Sequence, residues 1–183
     1  NEVGLTDVGR LCKLYANEVS GGMAQRYRIA LALLSNPRIL IADEATSALD
    51  VTVQAHILKL LKALCKKKNT AILFITHDLG IAAQICDRVA VMYAGRIVEI
   101  GPTNQMFVNP SHPYTKGLLK AVPRPGKTQA LSFVPGMIPD LANPPKGCRF
   151  YPRCDQVKEI CTQEKPFPTM IEENHEVCCY LYV

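Results

Sequence analysis

With 183 residues, 48% of them apolar, the chain is long enough to bury a core and is not a disordered tail. Its net charge of +5 is spread along the chain and it has no Trp, so neither a basic nucleic-acid stripe nor an aromatic stacking platform is present, and no nucleic-acid partner is expected. No apolar run reaches membrane-spanning length, the longest being the strand-sized Ala71 to Thr76, so any membrane association is expected to run through a partner.

Ser20 can cap a helix from about Gly22 to Leu34, along which Ile29, Ala30, Leu33 and Leu34 form an apolar stripe; Asn36 and Pro37 end it. Arg38 to Ala42 is short and apolar and is followed by acids, the pattern of a buried parallel strand. Asp50 then caps a second helix whose inner face carries Val53, Ile57, Leu60, Leu61 and Leu64. Its last turn holds Lys66, Lys67 and Lys68, where cations suit the helix dipole. Thr70 to Thr76 reads as another buried strand, with Asp78 placed to cap a short helix. Arg88 to Tyr93 and Arg96 to Ile100 flank Ala94-Gly95, a hairpin signal. The fold class expected is α/β, a parallel sheet covered by helices. Prolines become frequent from Pro102 onward, so the reading divides the chain into a domain over 1–100 and a smaller, loop-rich, cysteine-containing region over 101–183.

The chemistry gathers at strand ends. Ile39 to Ala42 leads into Asp43 and Glu44, and α/β folds bind ligands where strands end. One such carboxylate can hold Mg²⁺ and the next can polarise a water attacking a terminal phosphate. Ser20, Gly21 and Gly22 leave backbone N–H groups open at a helix N-terminus, which suits a phosphate. Ser47-Ala48-Leu49-Asp50 follows the acids, and Thr76-His77-Asp78 closes the next strand. Any one of these alone is an ordinary cap or strand end.

Taken in order, from about Tyr15 to Ile100, these motifs resemble the signature loop, Walker B strand, D-loop and H-loop of the ABC ATPase family. The resemblance implies that Asp43 supports Mg²⁺, that Glu44 is the catalytic carboxylate, and that His77 is the switch histidine contacting the γ-phosphate of ATP. It makes Ser20, Gly21 and Gly22 the residues that close over ATP held by the opposite subunit, and Asp50 an acid of the dimer interface. Val19, Met23 and Ala45 depart from the commoner Leu, Gln and Pro, but no charged group is lost. A phosphate loop of the form Gly-x-x-x-x-Gly-Lys-Ser/Thr is missing: Gly126-Lys127-Thr128 has Ala121 at the first glycine position and prolines at 123 and 125. The chain therefore reads as the C-terminal part of such an ATPase, expected to bind ATP weakly or not at all by itself.

The tail adds Asn109-Pro110-Ser111-His112-Pro113-Tyr114-Thr115, then Cys148, Cys154, Cys161, Cys178 and Cys179. It resembles the C-terminal extension of oligopeptide and dipeptide importer ATPases, some of which hold a [4Fe–4S] cluster on cysteines. That resemblance points to Cys148, Cys154, Cys161 and Cys179 as ligands, with Cys178 as a substitute for the last. The intervals of five and six residues between the first three cysteines exceed a zinc knuckle's, which ranks zinc second and a disulfide framework third. His175 reads as a supporting side chain rather than a ligand. The family further implies a second ABC ATPase subunit, transmembrane permease subunits and, indirectly, a solute-binding protein as partners, at the cytoplasmic face of the membrane. The alternative is a metal-binding interaction module carrying a degenerate ATPase remnant.

Overall fold

The computed structural model describes residues 2–122 and 133–183 and divides into two compact units, Asn1–Asp78 and Leu79–Val183. The Gly126-Lys127-Thr128 sequence lies outside the described residues.

In the first unit a short helix α1 (Val8–Leu11) precedes α2 (Gly21–Leu33), β1 (Ile39–Asp43), α3 (Val51–Lys68) and β2 (Ala71–Ile75). Both long helices start where side chains satisfy their first free N–H groups: Ser20 Oγ accepts from Met23 N at 3.3 Å and Asp50 Oδ1 from Val53 N at 2.9 Å. Asn69 ends α3 in the left-handed conformation, φ 53°, returning its N–H to Cys65 and Lys66 carbonyls. Of the lysines in that last turn, Lys67 pairs with Glu2 at 2.7 Å and Lys68 donates to Asn36 Oδ1 at 2.7 Å. The apolar stripes of α2 and α3 meet β1 in a core of Ile29, Leu33, Ala42, Ile57, Leu61 and Leu64. Full burial of a side chain such as Ile57, 0% exposed, contributes about 2 kcal/mol.

β1 and β2 pair in parallel from Ile39 opposite Ala71 to Asp43 opposite Ile75. They are not buried on both faces as the sequence leads one to expect. Ile39, Ile41, Leu73 and Ile75 are 65%, 64%, 54% and 45% exposed, all on one side of the pair. Continuous apolar strands call for cover on both faces, and the helices of this unit cover one.

The second unit opens with α4 (Leu79–Ile85), then β3 (Arg88–Tyr93) and β4 (Arg96–Pro102). The turn joining these strands has positive φ at both Ala94 (47°) and Gly95 (76°), as the two-residue hairpin requires. Helices α5 (Thr103–Val108), α6 (Pro113–Ala121) and α7 (Ile160–Gln163) follow, and β5 (Thr169–Glu172) and β6 (His175–Val177) close the chain. The sheet runs β3-β4-β6-β5, antiparallel throughout. It therefore crosses the composition break at Pro102: the last strands of the chain extend the hairpin. Below it Tyr93, Tyr114 and Phe150 pack as an aromatic trio, with centroids 4.6 to 5.4 Å apart.

Candidate functional site

The acids and the histidine meet where β1 and β2 end. Asp43 is the last, exposed residue of β1. Glu44 then turns through φ 46°, a conformation that costs a non-glycine residue about 1 kcal/mol, and donates its N–H to Ile75 O at 3.0 Å. Ser47 fastens the turn from the other side: its N–H and its hydroxyl both donate to Glu44 O, at 3.3 and 3.0 Å. Buried Thr46 accepts from Gln54 of α3 at 3.1 Å. Held so, the Glu44 carboxylate receives His77 Nδ1 at 2.8 Å.

That contact raises the pKa of His77 above its ordinary 6.5, through the hydrogen bond and charge of Glu44 and, more weakly, the charge of Asp78. The imidazole side chain is 78% exposed, so the pair is screened by water and adds little stability. What it adds is present below the ordinary imidazole pKa and fades as pH rises through the raised one. A proton NMR titration should place His77 above 6.5, and Glu44→Gln should bring it back. An identical midpoint in both proteins would show that the pair does not form in solution.

The signature-like loop sits beside the start of α3. A side chain at Gly22 would meet Val53 Cγ1 at 2.8 Å, so glycine there lets α2 and α3 approach; at Gly21 it would touch Leu49 only at ordinary distance, 3.4 Å. Gly22 thus has a packing reason, whereas Gly21, exposed, has none in this chain. Asp50 spends one oxygen on its helix cap.

Four of the five tail cysteines line one small cavity: Cys148, Cys154, Cys161 and Cys179. Cys178 does not line it; it lies within the electrostatic reach of Glu176 and Arg96. Cys148 N donates to Cys161 O at 2.8 Å, which brings two of the cysteine-bearing segments together, and Lys158 N approaches Cys161 Sγ at 3.5 Å. All eight cysteines are free thiols. Burial pushes Cys148 and Cys154 up, and Cys179 up to about 11. Among the described residues no group of three or more His, Cys, Asp or Glu side chains is placed to hold a metal ion.

A buried polar cluster next to the cavity is invisible in the sequence motifs. Glu99 of β4, 1% exposed, accepts from Ser111 N at 2.7 Å, His112 N at 2.9 Å and His175 Nε2 at 2.8 Å. One carboxylate therefore ties the Asn109–Thr115 stretch to the strand that leads into Cys178 and Cys179. His175 is accounted for by this contact and is not among the residues lining the cavity. Arg153 does similar work on the other side, donating to the carbonyls of Pro135 at 2.7 Å and Val134 at 2.6 Å.

A parallel strand pair that delivers two carboxylates and a histidine to one edge is the place where α/β folds bind ligands. The model of the ABC transporter family matches residues 1–47, which hold the signature-like loop, Asp43 and Glu44. That of the oligopeptide/dipeptide transporter C-terminal region matches residues 98–161. The chain belongs to the ABC transporter ATP-binding family, in its oligopeptide/dipeptide branch. It is similar to a peptide import ATP-binding protein of Brucella ovis, 48% identical over 98% of this chain and 55% of that protein. It is 49% identical to the dipeptide transport ATP-binding protein DppD of Bacillus subtilis, over 98% of this chain and 54% of the relative. With the oligopeptide transport ATP-binding protein OppD of Salmonella typhimurium the identity is 52%, over 90% of this chain and 49% of the relative. The chain thus spans about half the length of the curated relatives it matches. A dimeric ATP-binding cassette solved with ADP and Pi is 31% identical over 56% of this chain and 43% of that one, with a TM-score of 0.48. No helix among the described residues is long and apolar enough to cross a membrane.

Proposed function

We propose that the chain is the part of a peptide importer's ATP-hydrolysing subunit that orients the attacking water, while the phosphate loop comes from sequence it does not contain. The observation that carries this is the Glu44–His77 contact of 2.8 Å at the ends of two parallel strands, beside Asp43. Consecutive carboxylates suit Mg²⁺, which takes one or two carboxylate oxygens and completes its shell with water and phosphate. Asp43 would hold it, and the ion would neutralise charge building on the phosphates of ATP. Glu44, with one oxygen on His77, has the second to orient a water and take its proton. His77 positions Glu44 through that contact and would meet the γ-phosphate of ATP. Ser20, Gly21 and Gly22 would offer their N–H groups to ATP on a second ATPase subunit, with Asp50 close to that interface.

Peptides as cargo, permease partners, a solute-binding protein and a peripheral place at the cytoplasmic face rest on what the relatives are named for. In the same reading the cavity of the second unit holds an iron–sulfur cluster on Cys148, Cys154, Cys161 and Cys179. What supports this reading is that all four cysteines line one cavity, and four thiolates are the donor set such a cluster takes. Their raised pKa values mean that a metal would have to displace their protons on binding. A metal-binding module with a degenerate ATPase remnant draws no support from the relatives.

The test is Glu44→Gln in the complete subunit, phosphate loop included, assembled with its permease in vesicles. Turnover should fall about 100-fold or more, the weight of a lost general base, while ATP still binds. Peptide uptake should fall with it. Normal turnover would sink the assignment, and peptide uptake that survives the loss of turnover would detach the site from transport.

A further inference from the structure

His112 belongs to the Asn109–Thr115 stretch that the ATPase reading leaves unused. It is 1% exposed and lines the same cavity as the four thiols. Its Nδ1 accepts from Tyr114 N at 3.0 Å, capping α6. A ring nitrogen that accepts carries no proton, so in the neutral imidazole the proton sits on Nε2. Burial, outweighing the charge of Glu99, pushes the His112 pKa down to about 4, which keeps the ring neutral near pH 7. Its main chain is clamped by Glu99, and the Phe150 ring packs 5.6 Å from it. Among the described residues the His112 side chain bonds through Nδ1, which leaves Nε2–H unused.

We propose that His112 donates its Nε2–H to a sulfur of the group held in the thiol-lined cavity, as a positioning residue and not a ligand. The inference rests on the reading of that cavity as an iron–sulfur site. A hydrogen bond to cluster sulfur favours the more negative, reduced state, so His112 sets how readily the cluster accepts an electron.

Two substitutions separate the two nitrogens. Asn places its oxygen where Nδ1 stands, keeping the helix cap but withdrawing the Nε2 donor; Gln places an N–H near Nε2 and gives up the cap. The experiment uses the complete subunit, reconstituted without oxygen from ferric iron, sulfide and a thiol reductant, with metal and sulfide content and an optical redox titration as readouts. Wild type and both variants should load. At a fixed ambient potential the reduced-to-oxidised ratio should fall roughly tenfold in His112→Asn, about the weight of one hydrogen bond to a charged group, and stay near wild type in His112→Gln. Loading lost in Asn but kept in Gln supports the same conclusion. An unmoved ratio in Asn, an equal shift in both variants, or loading lost in both overturns the role of His112. A wild-type subunit that takes up neither iron nor sulfide overturns the reading of the cavity, and this inference with it.

Discussion

Replacing Glu99 by Ala is expected to remove about 4 kcal/mol or more of stability from the C-terminal unit. The carboxylate is fully enclosed and receives three N–H groups, from Ser111, His112 and His175. Truncation leaves all three without an acceptor in a site closed to solvent, and each such group costs about 1–3 kcal/mol. Glu99→Gln is the milder variant. It keeps the volume and one acceptor oxygen but turns an NH₂ toward a donor, for a cost of about 2 kcal/mol. Urea denaturation of the complete subunit should rank wild type, Gln and Ala in that order. An Ala variant within about 1 kcal/mol of wild type would mean that water satisfies the three donors and that Glu99 organises nothing.

Gly147→Ala should be the other severe change. A Cβ at that position would overlap Cys161 O and lie 2.8 Å from Thr162 C and 2.9 Å from Cys161 C. All three are backbone atoms, so no rotamer relieves the overlap and the two segments must part. That breaks the Cys148 N to Cys161 O bond and separates two of the four thiols. The expected result is a loss of about 3 kcal/mol together with loss of iron and sulfide uptake. Gly9→Ala is the control, because a Cβ there meets nothing within 4 Å. A Gly147→Ala protein as stable as that control, with full uptake, would show that the approach of residues 147 and 161 is not tight in solution.

Much of the fold was legible because its signals are local. Ser20 and Asp50 cap the helices they were expected to cap, and Ala94-Gly95 makes the expected turn. The meeting of Glu44 with His77 was legible too, since parallel strands carry their C-terminal ends to one edge. Three things were not. Arg38 to Ala42 reads as a buried strand because an apolar run says nothing about whether cover exists, and here one face is open. Glu99 belongs to no motif; its partner His175 is 76 residues away, and no spacing rule links them. Gly22 and Gly147 owe their identity to atoms of Val53 and Cys161, which only the folded chain brings near. A glycine read as a phosphate contact can equally be the place where two helices touch.

The register of β6 has a consequence for which sulfur enters the cavity. Neighbouring residues of an extended chain face opposite ways, so a slip of β6 by a single position along β4 would carry Cys178 inward and Cys179 outward. Against such a slip stand the pairs Glu99–Val177 and Ile100–Glu176 to β4, the bond from Cys178 N to Val98 O at 2.9 Å, and the pairing of β6 with β5 on its other side. The His175–Glu99 bond lies at this junction and fits one setting of the ladder. A slipped ladder would part His175 from Glu99, so an imidazole that does not line the cavity opposes the exchange of one thiol for the other.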